Sequence, residues 1–231
     1  MNAGAVIAAG GQGVRMGKNQ PKQLLELGGT SILERTLQPF MDCPEINQIV
    51  IVSAEGIIGN IESMIRQKPF CDKPVTVISG GSERQQSVSM GIKALDETID
   101  IVVVHDAVRP FITDKLITEC CHAAEKYGSV SVMRPITETV KVVKDSVVVN
   151  TPDRSTLWIT QTPQAFRKEL IEYAHKRAVA DNFFGTDDCM LVERLGHTVH
   201  IIEGSDMNIK ITTPIDLNAA EAILKLFNNR R

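Results

Sequence analysis

Ala3-Gly4-Ala5-Val6-Ile7-Ala8-Ala9 runs directly into Gly10-Gly11-Gln12-Gly13. A short apolar run that stops on glycines reads as a buried strand followed by a tight loop. In an open parallel sheet, ligands sit beyond the carboxyl ends of the strands, so this loop is where chemistry is expected. Working outward, the same unit recurs. Ser31 to Phe40 reads as a helix, with Ser31 as N-cap and Glu34 completing a capping box. Gln48 to Ser53 and Val75 to Ile78 read as strands, Ile57 to Gln67 as a helix between them. Glu83 to Leu95 follows as a helix capped by Ser82. Ile101-Val-Val-Val-His105 is continuous and β-branched, as in a strand covered on both faces. Asp114 to Tyr127 is helical and Ser129 to Met133 extended. This alternation predicts an α/β fold, a doubly wound and mostly parallel sheet.

The alternation breaks between Glu138 and Asn150. Polar and β-branched residues alternate there around Lys144-Asp145-Ser146, which reads as a hairpin. A lone exposed hairpin is marginal, so the sequence predicts a protruding arm, about 136–154, that packs on a second copy in a homodimer. The other reading is an antiparallel edge hairpin within the monomer. Beyond it, Leu157 to Thr160 reads as a short strand, Arg167 to Val179 and Asp187 to Leu195 as helices, Thr198 to Glu203 as a strand and Pro214 to Phe227 as a helix.

The chain has 231 residues, 43% hydrophobic and 23% charged, which suits one folded domain, 1–231, and argues against disorder. Lys plus Arg is 25 against 28 Asp plus Glu, a net charge of −3, so no global field favours nucleic acid or a membrane surface. No apolar run approaches the ~18 residues of a membrane span, and no secretory leader is visible. The cysteines at 43, 71, 120, 121 and 189 are scattered, with no CxxC pair, as expected of reduced thiols in a cytoplasmic protein.

The glycine loop fails two familiar tests. A Walker A loop needs GxxxxGK[ST]. Gly17-Lys18 is present, but position 12 is Gln and position 19 is Asn. A dinucleotide loop needs GxGxxG, and Met16 occupies the last glycine position. The loop instead offers Arg15 and, in Pro21-Lys22-Gln23, Lys22. Two cations beside backbone N–H groups suit charge stabilisation at a phosphate. Three further clusters fall near expected strand ends. Gly80-Gly81-Ser82-Glu83-Arg84 opens a helix with Ser87 one turn in, and its glycines leave room for a flat base. In His105-Asp106-Ala107-Val108-Arg109-Pro110, Asp106 and Arg109 either grip a hydroxyl and a phosphate or pair with each other, and His105 reads as packed. Asn208-Ile209-Lys210-Ile211-Thr212 offers Lys210, either a phosphate ligand or a solvated strand lysine. No DxD metal motif occurs, His197 and His200 are three apart but fall on a predicted strand, which argues against a zinc pair, and lone Trp158 argues against single-stranded nucleic acid.

Taken together, Ala8-Ala9-Gly10 to Gly13-x-Arg15-Met16, Pro21-Lys22-Gln23, Gly80-Gly81-x-x-Arg84, His105-Asp106-x-x-Arg109-Pro110, Gln161-Thr162-Pro163-Gln164, Gly185-Thr186-Asp187 and Asn208-Ile209-Lys210 resemble, in order, the 2-C-methyl-D-erythritol 4-phosphate cytidylyltransferases. The resemblance implies a Rossmann-like nucleotidyltransferase. It would join CTP and methylerythritol phosphate, a polyol phosphate, into 4-diphosphocytidyl-2-C-methyl-D-erythritol and pyrophosphate, a step of the non-mevalonate isoprenoid pathway. It implies catalytic Arg15 and Lys22. CTP would contact Ala8, Ala9, Gly10, Gly11, Gly13, Gly81, Ser87 and Asp106. The acceptor would contact Asp106, Arg109, Arg154, Thr162, Thr186 and Lys210, with Arg154 delivered from the arm into a neighbouring copy. Mg²⁺ would ride mainly on the triphosphate, near Asp106. A pentitol-phosphate cytidylyltransferase shares much of this pattern and is the nearest alternative; a non-catalytic nucleotide-binding protein on the same fold is more remote.

Overall fold

A computed structural model describes residues 1–11, 21–67 and 73–228. The strands are β1 (Ala3–Ala9), β2 (Glu26–Leu27), β3 (Thr30–Ser31), β4 (Ile46–Ser53), β5 (Val75–Ser79), β6 (Ile101–Asp106), β7 (Ser129–Pro135), β8 (Val142–Lys144), β9 (Val147–Asn150), β10 (Trp158–Arg167) and β11 (His200–Glu203). The helices are α1 (Ile32–Asp42), α2 (Ile58–Gln67), α3 (Arg84–Lys93), α4 (Asp114–Tyr127), α5 (Lys168–Ala180), α6 (Asp188–Glu193) and α7 (Pro214–Asn228).

The main sheet has the order β11-β7-β10-β6-β1-β4-β5. β1 runs parallel to both β4 and β6, and β11 parallel to β7. β10 is antiparallel to its neighbours β6 and β7. The chain builds β1, β4 and β5 outward, then returns to lay β6 on the other side of β1. That reversal creates the crevice in which open α/β sheets bind ligands.

Strand alternation feeds two cores. Ala5, Ile7, Ile51 and Val103 face Leu33, Leu37 and Phe40 of α1 and Ile117 and Cys121 of α4. Val6, Val50, Val52, Val102 and Val104 face Val88 and Ile92 of α3 and Ile171 and Ala174 of α5. Helices therefore cover both faces, as the sequence predicts. Gly91 sets how close α3 comes: a Cβ there would lie 2.4 Å from Val6 Cγ1 and 2.7 Å from Val52 Cγ2. This tight seat brings the start of α3 to the crevice.

Most local expectations hold. Ser31 caps α1, and Glu34 completes the box from both directions. Ser82 does not cap α3. Glu83 stands at that position without a side-chain bond, and the Ser82 hydroxyl donates to Gln86 Oε1 instead. The short β2–β3 hairpin turns at Gly28 and Gly29, both at positive φ (59° and 76°), and carries too few residues to show a period in the sequence. The expected four-residue strand at Leu157 is the start of the ten-residue β10. Between Thr160, paired with Met133, and Gln164, paired with Ser131, β10 holds more residues than β7, so it bulges there. Pro163 makes that stretch read as a break in sequence, whereas the strand passes through it. Lys210 lies on no strand.

The arm forms as a separate two-stranded sheet, β8–β9, rather than as an edge of the main sheet. Asp145 and Ser146 turn it at φ 51° and 63°. Val142, Val143, Val147, Val148 and Val149 are all exposed on it. The cysteines described (43, 120, 121 and 189) are free and buried. Among the described residues, no helix is long and apolar enough to cross a membrane.

Candidate active site

Strand ends open onto a cleft of about 490 Å³. Ala8 to Gly11 enter it from β1, Gly80 to Arg84 from the turn after β5, and Asp106 from β6, with Lys22, Ser87 and Lys210 on its walls. A larger hollow between α1 and α2, about 720 Å³, has Glu34 and uncharged side chains as its lining among the described residues.

Asp106 organises the floor. Its side chain is 8% exposed, and three cations converge on it: Lys210 Nζ 2.9 Å and Arg109 Nε 3.3 Å from Oδ2, and Arg84 Nε 3.4 Å from Oδ1. Burial alone would raise this carboxyl. Lys210, Arg84 and Arg109 outweigh burial and hold it far below the ordinary carboxylate range. Of the two readings of Asp106 and Arg109, the free protein therefore has them paired. Arg84 also donates to Asp188 Oδ2 at 2.7 Å. Burial opposes its charge, but the two carboxylates overcome that and raise it above the usual arginine value. Asp188 is itself buried and kept ionised by Arg84 and by His175, whose Nε2 lies 3.4 Å from Oδ1.

Behind this floor lies a neutral network. His105 Nε2 is 3.2 Å from the Arg109 carbonyl, which only accepts, so the proton sits on Nε2. Nδ1 then accepts from the Thr162 hydroxyl at 2.9 Å, and that hydroxyl accepts from the Asp106 N–H at 3.2 Å. Burial pushes His105 down to about 3, so it stays neutral and serves as a strut rather than a base. Arg109 Nη1 donates to the Asn208 carbonyl at 2.8 Å. Asn208 Nδ2 donates to the Thr162 carbonyl, and Gln161 Nε2 donates to the Ser205 carbonyl, tying the β10 bulge to the loop that carries Lys210.

The structure thus gathers Ala8, Ala9, Gly10, Gly11, Gly81, Ser87, Asp106, Lys22 and Lys210 around one cleft. Arg109 and Thr162 meet Asp106 from behind. Thr186 is exposed just before α6, and its hydroxyl faces Met190 Sδ at 3.7 Å. Arg154 stands at the foot of the arm and donates to the Thr137 carbonyl at 3.1 Å. Gly13 and Arg15 lie outside the described residues. Gln23 Nε2 donates to the Ala9 carbonyl at 2.7 Å and so locks the start of the glycine loop. Arg84 is a cleft cation that sequence reasoning passes over, although it stands in a quoted motif. Its partner Asp188 is 104 positions away, and no spacing rule connects them.

Among the described residues, no three His, Cys, Asp or Glu side chains gather as a metal cage. Asp106 and Glu83, two carboxylate residues, line the cleft. That sparse hard-oxygen set fits Mg²⁺, which takes one or two carboxylates and leaves its other positions to phosphates and water.

Residues 3–226 match the family model for IspD, 2-C-methyl-D-erythritol 4-phosphate cytidylyltransferase. The chain belongs to this family. Similar proteins named 2-C-methyl-D-erythritol 4-phosphate cytidylyltransferase include one from Geobacter metallireducens, 44% identical over 96% of this chain and 97% of its own. Another, from Geobacillus thermodenitrificans, is 44% identical over 97% of both chains. A crystal structure of 4-diphosphocytidyl-2C-methyl-D-erythritol synthase from Anaerococcus prevotii superposes with a TM-score of 0.87 at 33% identity, covering 97% of this chain and 96% of that one. The cytidylyltransferase from Thermus thermophilus gives 0.79 at 29% identity, covering 97% and 100%. Membership of this cytidylyltransferase family makes the chain a nucleotidyltransferase of isoprenoid biosynthesis, and the pentitol-phosphate alternative is not favoured.

Proposed function

We propose that the cleft transfers CMP from CTP to 2-C-methyl-D-erythritol 4-phosphate. The observation that carries this reading is the buried Asp106 with Arg84, Arg109 and Lys210 converging on it beside two glycine turns. The nucleophile is an oxygen of the acceptor's phosphate, already largely anionic at neutral pH because the second pKa of a phosphate monoester is ~6. It needs no general base. The oxygen bonds to the α-phosphorus of CTP as the bond to the β-phosphate oxygen breaks opposite it, and pyrophosphate leaves.

The barrier is repulsion between two polyanions, together with alignment. Arg15 and Lys22 stabilise charge on the α-phosphoryl group, and Gly13 and Gly11 let backbone N–H groups approach the triphosphate. Ala8, Ala9, Gly10, Gly81 and Ser87 surround cytosine and ribose. A Cβ on neighbouring Gly80 would lie 2.6 Å from Ser87 Oγ, so the absence of a side chain there lets the turn pack closely on α3. Asp106 takes ribose or methylerythritol hydroxyls, while Arg109, Lys210, Thr162 and Thr186 hold the acceptor. Because Asp106 already holds its cations in place, little reorganisation remains when a phosphate arrives. Bound Mg²⁺ near Asp106 would neutralise triphosphate charge and polarise its oxygens. The valine-rich arm pairs two copies, and each Arg154 serves the neighbouring cleft. Buried free thiols support a cytoplasmic setting.

The test is pyrophosphate release from CTP and Mg²⁺ with methylerythritol 4-phosphate and ribitol 5-phosphate as competing acceptors. Preference for methylerythritol phosphate is expected. Preference for ribitol phosphate would overturn the acceptor assignment, and no release with either would overturn the reaction.

A further inference from the structure

Two adjacent side chains at the start of α3 reach a segment about a hundred positions away. Arg84 donates to Asp188 Oδ2 at 2.7 Å. Gln85 is nearly buried and makes two bonds to main chain: its Nε2 donates to the Phe183 carbonyl at 3.1 Å, and its Oε1 accepts from the Gly185 N–H at 2.9 Å. Residues 183–187 belong to no strand or helix; the Phe183 N–H donates to the Ala178 carbonyl at 2.8 Å, and side chains hold the stretch beyond it. From the far side, Gln164 of β10 donates to Asp187 Oδ2 at 2.7 Å and accepts from the Asp188 N–H at 3.1 Å.

These tethers join the cleft's nucleotide turn to a segment to which the proposed function gives a different task. α3 begins directly after the Gly80–Gly81 turn, where the proposed function seats CTP. The tethered segment carries Thr186, which that reading gives to the acceptor. Arg84 also touches Asp106 on the cleft floor. We propose that Gln85, with Arg84, is a positioning residue that fixes the acceptor-binding segment 183–188 relative to the nucleotide turn. The inference rests on the cytidylyl-transfer reading for its consequence, but the tether itself does not depend on any reaction.

Gln85→Leu keeps a side chain of similar size and removes both bonds. Losing two near-buried hydrogen bonds predicts about a tenfold rise in KM for methylerythritol phosphate, with CTP affinity by calorimetry within about twofold of wild type. Amide exchange across 183–188 should speed up by about tenfold in the substrate-free protein. Gln85→Glu retains the acceptor for Gly185 and loses the donor to Phe183. Its effects should be intermediate, and it provides the same readouts should the leucine variant fold poorly. Unchanged exchange at 183–188 overturns the tether whatever the activity. Faster exchange with an unchanged acceptor KM, or with CTP affinity and acceptor KM impaired together, overturns the positioning role. If exchange rises while wild-type protein forms no product from methylerythritol phosphate, the tether stands and the reaction reading falls.

Discussion

Replacing Asp106 by asparagine preserves the shape of the cleft floor and removes the negative charge that Lys210, Arg109 and Arg84 share. The three contacts, at 2.9, 3.3 and 3.4 Å, do not contribute equally. Arg84 retains Asp188. The Lys210 side chain is 40% exposed and can turn to water. Arg109, 11% exposed, is left facing two other cations. One stranded buried cation, with the asparagine oxygen still accepting, puts the loss near the lower end of the range for broken buried pairs, about 3 kcal/mol. For a chain of this length that is a fall of about 6–12 °C in Tm.

The pH dependence follows from the sign of the shift. The folded carboxyl lies below its unfolded value of ~3.9, so its stabilisation is complete above that value and is lost as pH falls through the folded one. Urea unfolding of both proteins, without substrate, should therefore give a stability difference that is constant from about pH 8 to pH 5 and shrinks below about pH 4. A difference under about 1 kcal/mol at pH 7, or one that persists undiminished into acid, would refute the shared-charge account of Asp106.

Lys22→Ala should lower turnover far more than CTP affinity, by about a hundredfold against a few-fold, since its charge is assigned to the transferring phosphoryl group; equal losses in kcat and calorimetric CTP affinity would make Lys22 a ground-state ligand. Val148→Lys on the arm should shift the protein towards monomer in sedimentation and reduce activity with it, because Val148 is 56% exposed in the single chain; an unchanged association state would remove the arm from the interface.

Much of this architecture was legible because its signals are local. β1 and α4 occupy the ranges their patterns predict, since an apolar run ending on glycine and an amphipathic stretch closed by Gly128 each carry their own start and stop. The capping box at Ser31 and Glu34 is likewise written into four consecutive residues. What escaped depends on contacts distant in sequence. β10 continues through Pro163 because β6 and β7 hold it on both sides, which no window around Gln161-Thr162-Pro163-Gln164 reveals. Strand-end placement made Asp106, Arg109 and Lys22 candidates, and the fold brings Asp106 and Lys22 to one cleft with Arg109 behind the carboxylate. Lys210 was found through its short motif, although it sits in a loop rather than on the expected strand. The Arg84–Asp188 pair and the Gln85 tether join segments with no shared period, so only the folded chain exposes them.

The most direct test of the account is ³¹P NMR of the protein incubated with CTP, Mg²⁺ and 2-C-methyl-D-erythritol 4-phosphate. The account predicts loss of the acceptor's monoester resonance and growth of a coupled pair of diphosphate resonances, with one pyrophosphate for each diphosphate ester formed. Pyrophosphate accompanied by free CMP, with the monoester resonance intact, would contradict it: the cleft would then be delivering water, not the acceptor's phosphate, to the α-phosphorus.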